Sequence, residues 1–418
     1  MGSYSTVNKA APGVPFYTPA QEPAIGSVED EGQAGSAPTL FQPIKVRGLE
    51  QQNRVVVSPM CQYSADDGHL TDYHLVHLGQ LALHGAGLVF VEATAVEARG
   101  RISPEDSGLW KDSQIAPLKR IVDFVHSQNA KIGIQIGHAG RKASTLAPWL
   151  GGTANKTIAD KDANGWPDDV VGMSPIPFAD DHASPKELTV AEIKGLVQAF
   201  ADTAKRAVAA GFDTIEIHAA HGYLLTSSLS PLSNTRTDEY GGSYENRTRM
   251  LKEVIGAVRG VIPEAMPLWL RVSGSEWMES SGAPSWDLES TIRLAKELPA
   301  LGVDVLDVSS GGNNSAQKIP MDNKRFQSDL AKEVRKAVLA DKLPLLIGTV
   351  GFITDSQTAA GLVQEGGPEQ AADFALLARQ FLREPEWVLR AAHELKVKAK
   401  WPNQYHRAGP PATFERHF

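Results

Sequence analysis

Two histidines, His218 and His221, stand three residues apart, and Tyr223 follows two residues later. The residues just before them, 214–217, form a short run rich in β-branched side chains, which predicts a buried strand ending at the pair. Past a strand end such side chains converge. Two imidazole N–H groups then offer donors to one oxygen, and a phenol offers a proton beside it. H-x-x-H spacing also suits half of a zinc site. Zinc needs further ligands, and the sequence holds neither C-x-x-C nor H-E-x-x-H. A polar site for a substrate oxygen is the preferred reading.

The other residues with chemical potential also follow strand-like runs. Ser58-Pro59-Met60-Cys61-Gln62-Tyr63 follows 55–57, and Ala93 follows 88–92. Gln135 lies in 131–136, which runs into His138-Ala-Gly-Arg141-Lys142. Arg271 lies in 268–272, and Ser309-Ser310-Gly311-Gly312 closes 305–309. Gly348 and Gly351 follow 345–347, and Ala378-Arg379 follows 374–377. Each has a plainer reading: Cys61 as a small core residue, Gln135 as a loop hydrogen-bonder, Arg271 as the partner of Glu216 or Asp307, the glycines as turns. Taken together, glycines after a sixth and seventh strand and an arginine after an eighth match the usual phosphate site of a barrel. A glutamine amide suits an N–H/C=O ring edge, and an inward arginine suits a developing negative charge. Phosphate, ring edge and cation describe a flavin mononucleotide site. No G-x-G-x-x-G or Walker sequence occurs, which argues against a Rossmann nucleotide domain.

These runs alternate with helical patterns at 73–84, 114–128, 190–210, 245–261, 288–301, 327–340, 355–364 and 386–396. Eight β-then-α units joined by crossovers predict a single-domain (β/α)8 TIM barrel over residues 39–418. Residues 1–38, rich in Gly, Ala, Pro, Ser and Glu, are expected to be a mobile arm. Residues 144–186, between the third strand and third helix, exceed a simple loop and are expected to be a lid over the active face.

The chain has 418 residues, 42% hydrophobic, and a formal net charge of −8. That balance argues against a general nucleic-acid or anionic-membrane binder. One cysteine, Cys61, excludes an intrachain disulfide and a multi-cysteine iron–sulfur cluster, and it suits a reducing, cytoplasmic setting. No basic-then-apolar leader and no long apolar run is present.

Five stretches carry a family resemblance: Ser58-Pro-Met-Cys-Gln-Tyr63, Gly100-Arg-Ile-Ser103, His138-Ala-Gly-Arg-Lys142, Phe212-Asp-Thr-Ile-Glu-Ile-His-Ala-Ala-His-Gly-Tyr223 and Leu229-Ser-Pro-Leu-Ser-Asn-Thr-Arg-Thr-Asp-Glu-Tyr-Gly-Gly-Ser243. From about residue 40 onward the chain resembles the old yellow enzyme family, closest to its thermophilic-type small bacterial branch. The resemblance implies an FMN barrel that uses NAD(P)H, with NADPH preferred, to reduce C=C bonds conjugated to an electron-withdrawing group. It implies that Ser58, Pro59, Met60 and Cys61 line the flavin, that Ala93, Gln135 and Arg271 contact its ring, and that Gly311, Gly351 and Arg379 take its phosphate. His218 and His221 are implied to hold the substrate carbonyl, Tyr223 to donate the proton, and Tyr63 to line the substrate site. The family's usual glycine before the phosphate arginine is Ala378 here. The tail, 398–418, contains Pro402-Asn-Gln-Tyr-His-Arg407, which resembles a segment that places an arginine in a neighbouring subunit's site, implying a homodimer with Arg407 acting across the interface. Arg141 and Lys142 are candidate partners for the NADPH charge. The rival readings are a flavin reductase of nitro compounds or nitrate esters, a metal-dependent barrel hydrolase built on the histidine pair, and a barrel that binds without turnover.

Overall fold

The computed structural model describes residues 7–408, apart from 30–31, 33–34 and 155. The first six residues of the expected arm and the last ten of the tail lie outside the described residues.

Eight parallel strands close into a barrel in chain order: β1 (Val55–Val57), β2 (Leu88–Ala95), β3 (Ile132–Gly137), β4 (Thr214–Ala219), β5 (Leu268–Ser273), β6 (Val305–Ser309), β7 (Leu346–Val350) and β8 (Phe374–Leu377). The helices are α1 (Asp72–Ala82), α2 (Ile115–Ser127), α3 (Val190–Ala210), α4 (Tyr244–Arg259), α5 (Leu288–Glu297), α6 (Phe326–Ala340), α7 (Ser356–Val363) and α8 (Trp387–Glu394). This is the (β/α)8 barrel that the alternation predicts. Thr189, Ser243, Asp287 and Asp355 each accept a backbone N–H at the start of α3, α4, α5 and α7, a cap worth about 1 kcal/mol apiece.

The two-residue period of the strands divides their side chains between two cores. Outward residues such as Val57, Val89, Ile134 and Ile217 pack under the helices. Inward residues Val56, Phe90, Trp269, Val305, Phe374 and Leu376 plug the lower barrel. One step higher the inward positions turn polar: Gln135 on β3 pairs in register with Glu216 on β4, and Arg271 on β5 with Asp307 on β6. This layer sits directly under the C-terminal rim of the strands, the face that carries the active site in this fold. An antiparallel hairpin, Ile44–Val46 with Leu49–Gln51, adds Val46 to the lower plug.

The mobile-arm expectation does not hold for the residues leading up to 29. Ile25 is 2% exposed, Gly26 N–H donates to Lys400 O (2.9 Å), and Glu29 N–H donates to Lys398 O (2.8 Å). A few anchors without periodicity fasten this segment, and composition alone does not reveal them. The tail leaves along the same seam. Asn403 N–H donates to Gln21 Oε1 (3.0 Å), and Arg407 is exposed in the turn Asn403–Ala408.

Residues 144–186 form a fastened wall beside the rim. Ser144 Oγ donates to Ala159 O (2.8 Å) and accepts from Trp166 N–H (2.7 Å). Trp166 Nε1 donates to Arg99 O (3.0 Å), and the Arg101 guanidinium lies 4.6 Å from its ring. Arg236 Nη1 donates to Met173 O (3.0 Å) and Leu188 O (2.5 Å), locking the far end. Among the described residues no helix is long and apolar enough to cross a membrane.

Candidate active site

His218 ends β4 and is 4% exposed. Ala220 N–H donates to its Nδ1 (3.2 Å). A neutral imidazole has one N–H, so this bond puts the proton on Nε2 and makes that atom the donor. Burial, then His221, Arg271 and Lys142, push the His218 pKa well below its usual value. The same surroundings hold His221 down to about 3. Both rings are therefore neutral near pH 7.

The structure brings the two rings within 5.2 Å, edge to face, but gives them different partners. His221 Nε2 lies 2.8 Å from Ser309 Oγ, and the backbone N–H of His221 donates to Ser273 Oγ (2.9 Å). The two rings are thus not equivalent in their protein partners. His218 Nε2–H is uncommitted, while the Nε2 of His221 is engaged by β6. Sequence spacing could not reveal this, because Ser309 lies 88 residues away. Among the described residues no group of three His, Cys, Asp or Glu is arranged to hold a metal ion.

The turn after β4 aims Tyr223. His221 has φ +62°, a left-handed conformation costing a non-glycine residue about 1–3 kcal/mol. Gly222 follows at φ +78°, and a Cβ there would lie 2.1 Å from Gly312 O. Gly222→Ala is therefore expected to destabilise the protein by roughly 1–3 kcal/mol in urea unfolding. The Tyr223 ring packs edge-on to His218 at 5.0 Å. Burial, with Cys61, Tyr63 and Asp106 nearby, raises its pKa well above the usual range, so the phenol keeps its proton.

Cys61 lies half-buried after β1, with its thiol bonded to the backbone of Ala93. Ala93 is presented there because β2 bulges against β3 between Val91 and Thr94. Burial and the carboxylates of Asp106 and Glu92 push the thiol pKa up, so Cys61 is a neutral thiol. Tyr63 has φ +51°, and its ring meets Trp149 edge-on at 5.6 Å. Trp149, 60% exposed, rides on the short helix Pro148–Ala154 at the outer edge of the site.

A cavity of about 390 Å³ opens over the ends of β1, β6, β7 and β8, lined by Ser58, Pro59, Arg271, Gly351, Arg379 and Arg383, among others. At one end Arg379 and Arg383 have no carboxylate partner among the described residues. At the other, buried Arg271 donates through Nη2 to Ser58 Oγ (2.6 Å) and pairs with Asp307, leaving Nη1 without a protein partner. Unpaired Arg379 and Arg383 at one end of the cleft, and the unengaged Nη1 of Arg271 at the other, suit a ligand with a phosphate and an anion-bearing ring edge. Gly351 has φ +112°, a conformation that strains any other residue, and a Cβ there would also displace the Gln327 amide, 2.0 Å away. Ala378, where a glycine was expected, stands before Arg379 with φ −115° and ψ −96°.

Gly311 does not fit its expected role. Its N–H already donates to Ser275 O (2.8 Å), and its carbonyl accepts from Ser273 Oγ (2.8 Å), so its amide is unavailable to a phosphate. Gln135 Nε2 donates to Glu216 Oε1 (2.7 Å) below the rim. Met60 packs at the margin of the outer core. Arg141 is also committed: it is 4% exposed and binds the carbonyl of Asn313, which leaves it unsuited to a nucleotide phosphate. Lys142 is held by His221 O (3.0 Å) and Gly312 O (3.1 Å), 4.2 Å from the Phe178 ring. Burial, then Arg141, lowers its pKa to about 8.

A match to the family described as NADH:flavin oxidoreductase / NADH oxidase covers residues 39–398. This chain belongs to that family, the old yellow enzyme type. An NADH:flavin oxidoreductase of Gibberella zeae is 47% identical over 405 residues, covering 95% of this chain and 94% of the relative. An NADPH dehydrogenase of Geobacillus thermodenitrificans is 41% identical over 370 residues, covering 88% and 98%. The solved structure of morphinone reductase aligns with a TM-score of 0.67 at 26% identity, over 90% of this chain and 93% of that one. As an old yellow enzyme family member the protein is an FMN-dependent NAD(P)H oxidoreductase. The cleft described above offers residues that could hold FMN, Arg379 at its phosphate and Ser58, Pro59 and Arg271 at its ring end.

Proposed function

We infer that this enzyme reduces the C=C bond of α,β-unsaturated carbonyl compounds. The observation that carries the reading is the single free N–H of neutral His218 beside a phenol that keeps its proton. FMN, when bound, supplies the chemistry of taking hydride from NAD(P)H and passing it to the substrate's β-carbon. The protein does the rest. His218 Nε2–H donates to the substrate carbonyl oxygen, which favours negative charge there as the β-carbon is attacked. Tyr223 O–H gives its proton to the α-carbon. His221, held by Ser309 through Nε2, braces the ring of His218, and its Nδ1 is a second donor when Nε2 accepts from the Ser309 hydroxyl. Cys61, as a neutral thiol, offers a polarisable, uncharged contact at the cofactor's edge. Tyr63 and Trp149 form the outer wall of the substrate space.

Three further assignments belong to this reading. NADPH is the preferred reductant, with Lys142 and not Arg141 as the remaining candidate for its charge. The enzyme is a cytoplasmic homodimer. Arg407, exposed in a turn tied to the N-terminal segment, serves the partner's site.

The test is anaerobic. NADPH is added to purified protein, and the flavin bands are followed until they bleach. Cyclohexenone is then expected to restore the colour at a saturable rate. Colour restored by nitroaromatics and not by any enone would replace this reading with a nitro-reducing one. If Trp149 shapes the substrate space, Trp149→Ala raises KM for a bulky cyclic enone about tenfold and leaves acrolein little changed. Equal effects on both substrates would remove Trp149 from specificity.

A further inference from the structure

The polar layer beneath the site contains two carboxylates and one guanidinium. Arg271 pairs with Asp307 through Nε and Nη2, and Glu216 Oε1 lies 3.7 Å from Arg271 Nε. Glu216 and Asp307 are each completely buried. Glu216 Oε2 and Asp307 Oδ1 have no hydrogen-bond partner among the described residues, and the two carboxyl groups meet at Arg271 Nε, Asp307 by a hydrogen bond and Glu216 at 3.7 Å. Two carboxylate oxygens are both acceptors, so such a contact is favourable only with a proton between them.

We propose that Glu216 and Asp307 share one proton, and that this acid pair, acting through Arg271, sets the charge presented to the FMN ring and hence its reduction potential. With the proton in place the trio is neutral. Without it the trio carries one negative charge, and Arg271 is fully neutralised from below. The two acids are positioning residues, since they act through the guanidinium.

The surroundings keep the proton there. The other groups facing the trio are Gln135 from β3, Ser58 after β1, Ser309 on β6 and His218 on β4, with His221 and Lys142 above. Of the residues from β2, β7 and β8, Phe90, Gly348 and Leu376 do not titrate, while Glu92, two residues beyond Phe90 on β2, is a buried carboxyl 3.6 Å from His74 Nε2, and Trp269 lies below. Lys142 is the one cation besides Arg271 in this group, and it is held by carbonyls above the histidines. Burial raises the Glu216 pKa to about 8, against the opposing pull of Arg271, and raises that of Asp307 as well.

The inference rests on the FMN of the family and not on the enone reading. Its test is the midpoint potential of bound FMN in the holoenzyme, measured by anaerobic dye equilibration from about pH 6 to pH 10. In the wild type, oxidised enzyme loses the shared proton above about pH 8. Two-electron reduction then takes that proton back, so the potential falls about 30 mV per pH unit more steeply there, the tenfold-per-unit shift of a two-electron couple. Glu216→Gln and Asp307→Asn each leave Arg271 with one counter-ion and no shared proton, and the extra slope disappears in both. The wild type also shows at pH 7 an infrared C=O stretch of a protonated buried carboxyl beyond that of Asp106, and this component is lost in both variants. A wild type without the extra slope, or a slope that persists in both variants, overturns the proposal. So does a wild-type spectrum without that component, should neither variant hold FMN.

Discussion

His218→Ala is expected to slow the reoxidation of NADPH-bleached enzyme by cyclohexenone about 10²- to 10³-fold, while bleaching by NADPH stays close to the wild-type rate. The magnitude is that of losing one preorganised donor to a developing oxyanion. The asymmetry follows from geometry. His218 Nδ1 is occupied by Ala220 N–H, so Nε2–H is its one donor and no tautomer can compensate. His221→Ala is expected to have a smaller effect, because His221 Nε2 is already bonded to Ser309 Oγ. Ser309→Ala frees that nitrogen and is expected to enlarge the dependence on His221. The ring is neutral throughout the working range, since burial holds its pKa well below the usual value. Reoxidation should therefore show no inflection near the ordinary histidine value of about 6.5. Stopped-flow traces of both half-reactions decide the matter: equal reoxidation rates for wild type and His218→Ala would remove His218 from oxygen binding.

The barrel was legible because strand and helix signals are local. Three β-branched valines at 55–57, the run Leu-Val-Phe-Val at 88–91 and the alternation around Ile215 and Ile217 each give their element without reference to the rest of the chain. The positions of Cys61, Ala93, His218, Tyr223 and Arg271 at strand ends follow from the same signals. The pairing of Arg271 with Glu216 and Asp307 was half-legible, since charged residues inside apolar strands must find partners. What stayed hidden depends on contacts between distant segments. Ser309 claims His221 across 88 residues, Ser275 claims the amide of Gly311, and Asn313 claims Arg141 across 172. The N-terminal segment reads as disordered because Ile25 and Gly26 are too few to make a pattern, yet they dock against Lys400 and the loop at Gly85. Trp149 looks like any loop tryptophan until the fold brings it to Tyr63.

Arg271→Met is expected to destabilise the protein by about 3–5 kcal/mol at pH 7, the cost of leaving a buried charge without its partner. The lost cation leaves Glu216 and Asp307 facing each other in a layer floored by Trp269 and Phe90, where ionisation is strongly disfavoured. Both carboxyls then stay protonated in the folded state, with folded pKa values above their unfolded ones. The sign follows. The folded protein binds more protons than the unfolded chain, so stability is greatest below about pH 4 and declines as pH rises from there toward neutrality. Urea unfolding of Arg271→Met relative to wild type should therefore show a deficit that widens between about pH 5 and pH 8. Adding Glu216→Gln and Asp307→Asn removes both acids and is expected to recover most of the loss, because a neutral amide pair can bond to itself and to Gln135. The same triple variant still lacks the cation at the ring end of the cleft, so its folding is restored while its FMN reduction potential remains low. A deficit independent of pH, or no recovery in the triple variant, would mean that Arg271 stabilises the barrel by packing and not by balancing the two carboxylates.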